Sequence, residues 1–309
     1  MLSQKRVGFL MGISAAILWG TFGTFSILLS RFGLTEGTIS LIAPFFLLAF
    51  FTILVIKNDV KAFKIPKLLV PALVFNGLSS AAYNYAAVQA YSYLPIGVVS
   101  TIIYCNLFLL IIISRLAFKI PITWQKVVAV CGAIIGIALV VNIFGSSGNL
   151  NLIGLVWAIT AMVSWAALVS LEKYLLIHDV DSNAIIAYEG LFSLVFISLF
   201  MHPPARVLAD IAQAFTASNG LVLLPILGFG LLTTAACYWL YINALNRLEP
   251  AYVQITYTLD PATSCILGLV IFGQTLLFSQ IIGIAIVLLV VIWLQWLERG
   301  AETETSQQA

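Results

Sequence analysis

The chain has 309 residues, of which 62% are hydrophobic and only 8% charged, with a formal net charge of +2. Soluble domains carry roughly 25% charged residues, so this balance excludes a soluble enzyme or a nucleic-acid-binding module and marks an integral membrane protein. The four cysteines, Cys105, Cys131, Cys237 and Cys265, fall inside apolar runs without metal-ligand spacing; they read as packing residues, and no metal or cofactor is expected.

Apolar runs long enough to cross a hydrocarbon core of about 30 Å number ten, at about 7–29, 37–56, 68–91, 95–117, 124–143, 151–172, 182–201, 219–245, 250–272 and 278–297. The expected fold class is an all-α integral membrane protein with ten transmembrane helices. Twelve of the 14 Lys and Arg residues lie on the side shared by the N-terminus, the even-numbered loops and the C-terminus, and only Arg31 and Arg206 lie opposite. By the positive-inside rule both termini are cytoplasmic, in the cell (inner) membrane. The first run is longer than a signal-peptide core and lacks a clear cleavage site, so it reads as a retained helix.

In chain order, the first run places Gly12, Ala16, Trp19, Gly23 and Ser26 on one face, a small-residue stripe interrupted by one ring. Such faces allow close helix approach in lipid. An offset of 146 aligns Gly8 with Gly154, Ala15 with Ala161 and Trp19 with Trp165; an offset of 155 aligns Tyr83 with Tyr238, Pro95 with Pro250 and Thr101 with Thr256. The spacing predicts two five-helix repeats, 1–148 and 149–309, joined at Gly145–Gly148. Because five is odd, the second repeat would enter the membrane inverted, as in several secondary-transporter folds.

The third run draws a polar and aromatic stripe through Asn76, Ser80, Tyr83, Asn84, Ala87 and Tyr91, and its repeat mate offers Thr234, Tyr238 and Tyr241. The fourth run adds Thr101, Tyr104, Cys105 and Asn106. Tyr91, Tyr93 and Tyr252, near span ends, read as interfacial anchors. Glu172 beside Lys173 reads as an interfacial pair. Glu189 lies well inside the seventh run with no intramembrane Lys or Arg to neutralise it. His178 and His202 read as water-contacting helix-end residues, Pro203–Ser218 as an amphipathic surface helix, and the polar tail after Glu298 as disordered.

The ninth run carries Asp260 followed at once by Pro261. A charge at the bilayer centre costs about 2.5–3.5 kcal/mol on insertion scales, so Asp260 should face a bundle interior or a wet cavity. Thr256, Tyr257, Thr263 and Ser264 share its helical face. Pro261 removes one N–H and frees a carbonyl a turn earlier.

These residues resemble the ten-helix EamA-type members of the drug/metabolite transporter superfamily. The segments that carry the resemblance are Ala90 through Leu94-Pro95, Ala244-Leu245 through Glu249-Pro250-Ala251, Leu259-Asp260-Pro261 and Phe272-Gly273-Gln274. It covers about residues 7–297 and implies an inner-membrane carrier, frequently an exporter, with a central cavity between the repeats. Lys119 and Gln274 stand where the family commonly has an acid, Asn106 where it has a proline, and Pro44 and Glu189 where a basic residue is often seen.

The resulting expectation is a secondary active transporter, an exporter of small amphiphilic metabolites such as amino acids, working by alternating access in the lipid bilayer with protons as the coupling ion. Trp19, Tyr83, Asn84, Tyr104, Asn106, Trp165, Tyr238, Tyr241 and Tyr257 are the candidate substrate-binding residues. Glu189 and Asp260 are the candidates for coupling or charge recognition. A multidrug exporter of lipophilic cations and a non-transporting scaffold or sensor remain open alternatives, and no catalytic constellation is visible. The sequence leaves the oligomeric state open.

Overall fold

The structure is a computed structural model that describes residues 2–118, 124–140, 151–248, 256–257 and 259–307. Expectations attached to Lys119, the Gly145–Gly148 segment, Glu249–Ala251 and Tyr252 lie outside these residues. Among the described residues the regular structure is helical throughout. The chain order is α1 (Leu2–Trp19), α2 (Phe22–Arg31), α3 (Glu36–Asn58), α4 (Val70–Tyr93), α5 (Ile96–Tyr104), α6 (Asn106–Phe118) and α7 (Trp124–Val140). It continues with α8 (Leu152–Leu176), α9 (Ser182–Phe196), α10 (Pro204–Ala217), α11 (Leu223–Leu227), α12 (Cys237–Leu245), α13 (Leu259–Phe272) and α14 (Phe278–Gln307).

Six helical stretches are long and apolar enough to cross a membrane: Gln4–Arg31, Glu36–Asn58, Ile96–Ile113, Leu152–Leu176, Ser182–Phe200 and Leu223–Ala244. Val127–Leu139, Leu259–Phe272 and Phe278–Val290 are shorter apolar helices. The 24-residue α4 is long enough as well, its apolar character diluted by the stripe that includes Asn76, Ser80 and Asn84. The last helix continues through Gln307, where the sequence suggested a disordered tail; Ala301, Glu302 and Glu304 are good helix formers that extend an existing helix without a new nucleus.

The chain divides into two compact units, and neither is a contiguous half. The first comprises Met1–Thr21, Leu94–Leu152 and Ala236–Ala309; the second comprises Phe22–Tyr93 and Ile153–Ala235. In the first unit α7 packs along α14, α1 along α12 and α13, and α5 along α13. In the second, α3 and α4 both pack along α9. Lipid tails are as apolar as leucine, so close packing rather than water exclusion holds such helices together. In the second unit, Leu69, Leu73, Leu175, Val180 and Ile185 interdigitate, and Leu41, Ala81 and Ile197 form a separate cluster.

α3 and α9 approach closely, backbone against backbone, at Gly190. A Cβ on Gly190 would lie 2.6 Å from the Leu48 backbone nitrogen and 2.8 Å from the Pro44 carbonyl oxygen. Those are backbone atoms, which cannot rotate away.

At the turn between α2 and α3, Gly33 takes φ +88° and the Leu34 N–H reaches back to the Leu29 carbonyl at 3.3 Å, a left-handed helix stop that glycine fills without strain. Thr35 then caps α3, its Oγ1 accepting from the Thr38 N–H at 3.4 Å. The amphipathic surface helix expected after Pro203 is present as α10. His202, read from sequence as water-contacting, is instead 8% exposed and packs its ring on Gly37. Thr35 and Thr38 donate to Asp210 Oδ2 at 2.5 and 2.6 Å, and His202 Nε2 stands 3.1 Å from Thr38 Oγ1 and 3.6 Å from Asp210 Oδ2. These contacts pin α10 to the start of α3. Desolvation pushes the Asp210 carboxyl up, but the hydrogen bonds from Thr35 and Thr38 and the nearby His202 outweigh it, leaving Asp210 below its ordinary value.

Two outcomes are expected. Gly190→Ala should lower unfolding stability by about 1–3 kcal/mol, the usual range for overpacking, measured by thermal or denaturant unfolding in detergent. Because the folded pKa of Asp210 is depressed, its stabilising contribution is complete above the unfolded pKa and is lost as pH falls through the folded value. Hydrogen exchange of the α10 amides should therefore show constant protection across neutral pH and a rise in exchange only in acid. Asp210→Asn should remove that acid step.

Candidate functional site

In the first unit, Trp19 is the last residue of α1, directly before the helix is interrupted at Gly20–Thr21. Its ring is surrounded by three tyrosines: Tyr238 at 5.4 Å, Tyr241 at 5.7 Å and Tyr257 at 5.1 Å between centroids. Tyr241 and Tyr257 also meet each other at 5.4 Å. Tyr238 and Tyr241 stand three residues apart on α12, the spacing that puts both on one helix face. Four of the sequence candidates thus form one aromatic box. Trp19, Tyr241 and Tyr257 keep accessible surface, while Tyr238 is buried.

Asp260 follows Tyr257 by one turn, its N–H bonded to the Tyr257 carbonyl at 3.0 Å. It lies in the first turn of α13. Pro261 is therefore the third residue of a helix rather than a kink in the middle of one. Proline is tolerated there because first-turn N–H groups have no intrahelical acceptor to lose. Ser264, on the Asp260 face as expected, accepts from Ser100 Oγ at 2.9 Å. Its own hydrogen faces the Gly20 carbonyl at 3.0 Å or Asp260 Oδ1 at 3.4 Å. One hydroxyl thus ties α13 to the interruption beside Trp19.

The apolar stretch Ile96–Ile113 is broken at Cys105, which separates α5 from α6. Asn106, standing where the resemblance leads one to expect proline, donates its side-chain amide to the Ile103 carbonyl at 2.8 Å. It holds the break rather than facing the aromatic box. Tyr104 is buried beside it at 8% exposure. Gln274 Oε1 accepts the Ile96 N–H at 3.0 Å, one of the orphan donors at the start of α5, so a neutral amide fills that position.

In the second unit, the rings of Tyr83 and Trp165 meet at 4.6 Å, tilted by 48°. Phe22 lies 6.2 Å from Tyr83, 6.1 Å from Tyr91 and 4.7 Å from Phe229. Sequence reading missed Phe22 and Phe229, and it placed Tyr91 at the interface although the structure buries it to 6%. The signal for Tyr91 was its place in the α4 stripe; nothing in a phenylalanine separates packing from site lining. Asn84 donates to the Ser80 carbonyl at 2.9 Å and lies 3.3 Å from Ser80 Oγ, and Ser80 Oγ donates to Glu189 Oε1 at 2.8 Å. Asn84 therefore supports the group that holds Glu189, which is 1% exposed.

Glu172, expected beside Lys173, lies half-buried near the C-terminal end of α8. The turn from α8 into α9 is sharp. Asp179 takes φ +60°, the Val180 N–H bonds back to the Leu175 carbonyl at 3.3 Å, and Asp181 Oδ1 caps α9 through the Ala184 N–H at 3.0 Å. That is a sharp helix stop followed at once by a helix start.

The candidates thus gather in two sets. Trp19, Tyr238, Tyr241, Tyr257 and Asp260, with Tyr104 and Asn106 in the same unit, form one; Tyr83, Asn84, Trp165 and Glu189 form the other. Among the described residues no group of three or more His, Cys, Asp or Glu side chains could hold a metal ion. What each set offers chemically is ring faces, phenol and amide tips, and a carboxyl.

The EamA-like transporter family model matches residues 6–142 and again 152–296. A protein described as an uncharacterized transporter, from Clostridium kluyveri, is 22% identical over 249 residues, which is 77% of this chain and 77% of that protein. A solved structure, titled only as the crystal structure of a protein, superposes with a TM-score of 0.63 over 96% of this chain and 98% of its own, at 15% identity; that is a likeness of fold. With nearly its whole length covered by the family model, the chain belongs to the EamA-like transporter family and is a multi-pass membrane transporter.

Proposed function

We propose that this transporter is a secondary active exporter of small amphiphilic metabolites, amino acids foremost, working by alternating access with protons as the coupling ion. In this reading ten spans form two inverted repeats, 1–148 and 149–309, in the cell (inner) membrane with both termini cytoplasmic. The two successive family matches support the repeat. So does the ring pairing, since Trp19 and Trp165 align in the repeat, as do Tyr83 and Tyr238, and each Trp meets the Tyr contributed by the other repeat.

The observation that carries the substrate class is the four-ring box with Asp260 one turn beyond Tyr257. Ring faces attract an ammonium group, and the attraction grows when the site is desolvated. A carboxyl beside them supplies the charge partner. Among the described residues no Lys or Arg lies within the box to clamp a phosphate, which favours an amine-bearing substrate over a phosphorylated one.

The test is uptake and counterflow in proteoliposomes with an amino-acid panel and one lipophilic cation, tetraphenylphosphonium, with and without a pH gradient. Saturable movement of an amino acid, accelerated by the gradient, is expected. Asp260→Asn removes a charge-assisted contact of about 1.5–3 kcal/mol, so its apparent affinity should fall about tenfold or more, and Trp19→Ala should weaken binding in the same direction. Glu189→Gln should lose the response to the gradient. Movement of the lipophilic cation alone would replace this reading with multidrug export, and no saturable movement at all would remove it.

A further inference from the structure

Ser264, in the second turn of α13, has one hydrogen and two places to put it. It is 1% exposed, and its Oγ accepts the Ser100 Oγ hydrogen at 2.9 Å. Within reach of its own hydrogen lie the Gly20 carbonyl at 3.0 Å and Asp260 Oδ1 at 3.4 Å. A hydroxyl gives one hydrogen and rotates to suit its acceptor, so the two oxygens compete for it. The Gly20 carbonyl stands at the interruption that ends α1, and α13 packs tightly onto it. A Cβ on Gly20 would lie 2.6 Å from Thr263 Cβ and 2.9 Å from the Asp260 carbonyl oxygen. The Gly20 N–H bonds to the Ala16 carbonyl at 3.0 Å and the Thr21 N–H to the Leu18 carbonyl at 3.1 Å. The α1 ladder closes on these two amides, directly after Trp19.

The charge at Asp260 decides the competition. A hydrogen bond to an ionised carboxylate is roughly twice as strong as one to a neutral acceptor, and a low-dielectric interior sharpens the difference. With Asp260 ionised and empty, the Ser264 hydrogen turns to Oδ1 and leaves the Gly20 carbonyl. With a cation on Asp260, an ammonium group or a proton, the carboxyl is neutralised and the hydrogen goes to Gly20. The shorter distance to Gly20 is this tied arrangement. Of the helices packed on α13, α1 carries Lys5 and Arg6, both exposed near its start, and α5 carries no Asp, Glu, Lys, Arg or His. The weaker acids around it are Tyr104 of α5, Cys265 of α13, which packs on Gly97, and Cys237, which donates to the Ala15 carbonyl at 3.0 Å.

We propose that Ser264 is a positioning residue that passes the charge state of Asp260 to the end of α1: it holds the Gly20 carbonyl when Asp260 carries a cation and releases it when Asp260 is ionised and empty. The helix end that bears Trp19 is thereby fastened to α13 only when the carboxyl is occupied. That the occupant is a substrate ammonium group rests on the reading above; the link itself does not.

The experiment is hydrogen exchange of the Gly20 and Thr21 amides, resolved by overlapping peptides, in the purified, substrate-free full chain in lipid nanodiscs at about pH 9, where carboxyls are ionised. Asp260→Asn removes the charge without a ligand. It should slow exchange about fivefold, the effect of one net hydrogen bond, and it should change nothing in a Ser264→Ala background. A merely structural Ser264 would speed exchange by the same factor whether residue 260 is Asp or Asn. The proposal is therefore overturned if Asp260→Asn acts equally in both backgrounds, or in neither. Should either variant fail to fold, Ser264→Cys or Asp260→Ser takes its place in the same comparison, and an equal effect in both backgrounds again overturns the link. A background-dependent effect in protein that moves none of the amino-acid panel would sink the proposed substrate and leave the link standing. Amino-acid transport with equal effects in both backgrounds would do the reverse.

Discussion

Hydrocarbon offers no hydrogen bonds, so every backbone carbonyl released by a helix interruption has to be satisfied from within the chain. This constraint explains most of the polar side chains inside the spans. Thr21 Oγ1 donates to the Leu18 carbonyl at 2.6 Å where the first helix stops. Asn106 serves the Ile103 carbonyl where the fourth span breaks, and Ser264 reaches the Gly20 carbonyl. The interruptions place Trp19 at the end of one helix and Asp260 at the beginning of another. The candidate site residues and the residues that repair the backbone are neighbours for that reason.

The same constraint separates the two acids. Asp260 is half-buried, one turn from Tyr257, which keeps accessible surface. Glu189 is enclosed and held by Ser80. The two carboxyls thus sit in different surroundings, one in each unit.

Much of this was legible in the sequence. Helical periodicity put Ser264 and Tyr257 on the Asp260 face, and the α4 stripe selected Ser80, Tyr83 and Asn84 together. Matching Trp19 with Trp165 and Tyr83 with Tyr238 selected four rings that do touch, but the contacts run from Trp19 to Tyr238 and from Tyr83 to Trp165. Periodicity assigns a residue to a face of its own helix; it does not say which helix covers that face. Nor does it show that the αL residue Asp179 and the Asp181 cap turn the chain sharply from α8 into α9. His202 and Tyr91 were misplaced for a related cause. Proximity to a span end suggests water, yet packing against Gly37 and Phe22 decides otherwise.

One consequence follows from where the chain passes between the two compact units. The passages lie at Thr21–Phe22, Tyr93–Leu94, Leu152–Ile153 and Ala235–Ala236. The first is the gap between α1 and α2, the second follows the end of α4, the third is the opening turn of α8, and the fourth is the junction between the π-helical segment Gly228–Ala236 and α12. No passage runs through the middle of a regular α-helix. An unbroken helix carries bending and torque along its length as a stiff rod, whereas a missing or lengthened hydrogen bond gives a compliant joint. The chain thus changes unit only where a regular α-helical ladder starts, stops or lengthens.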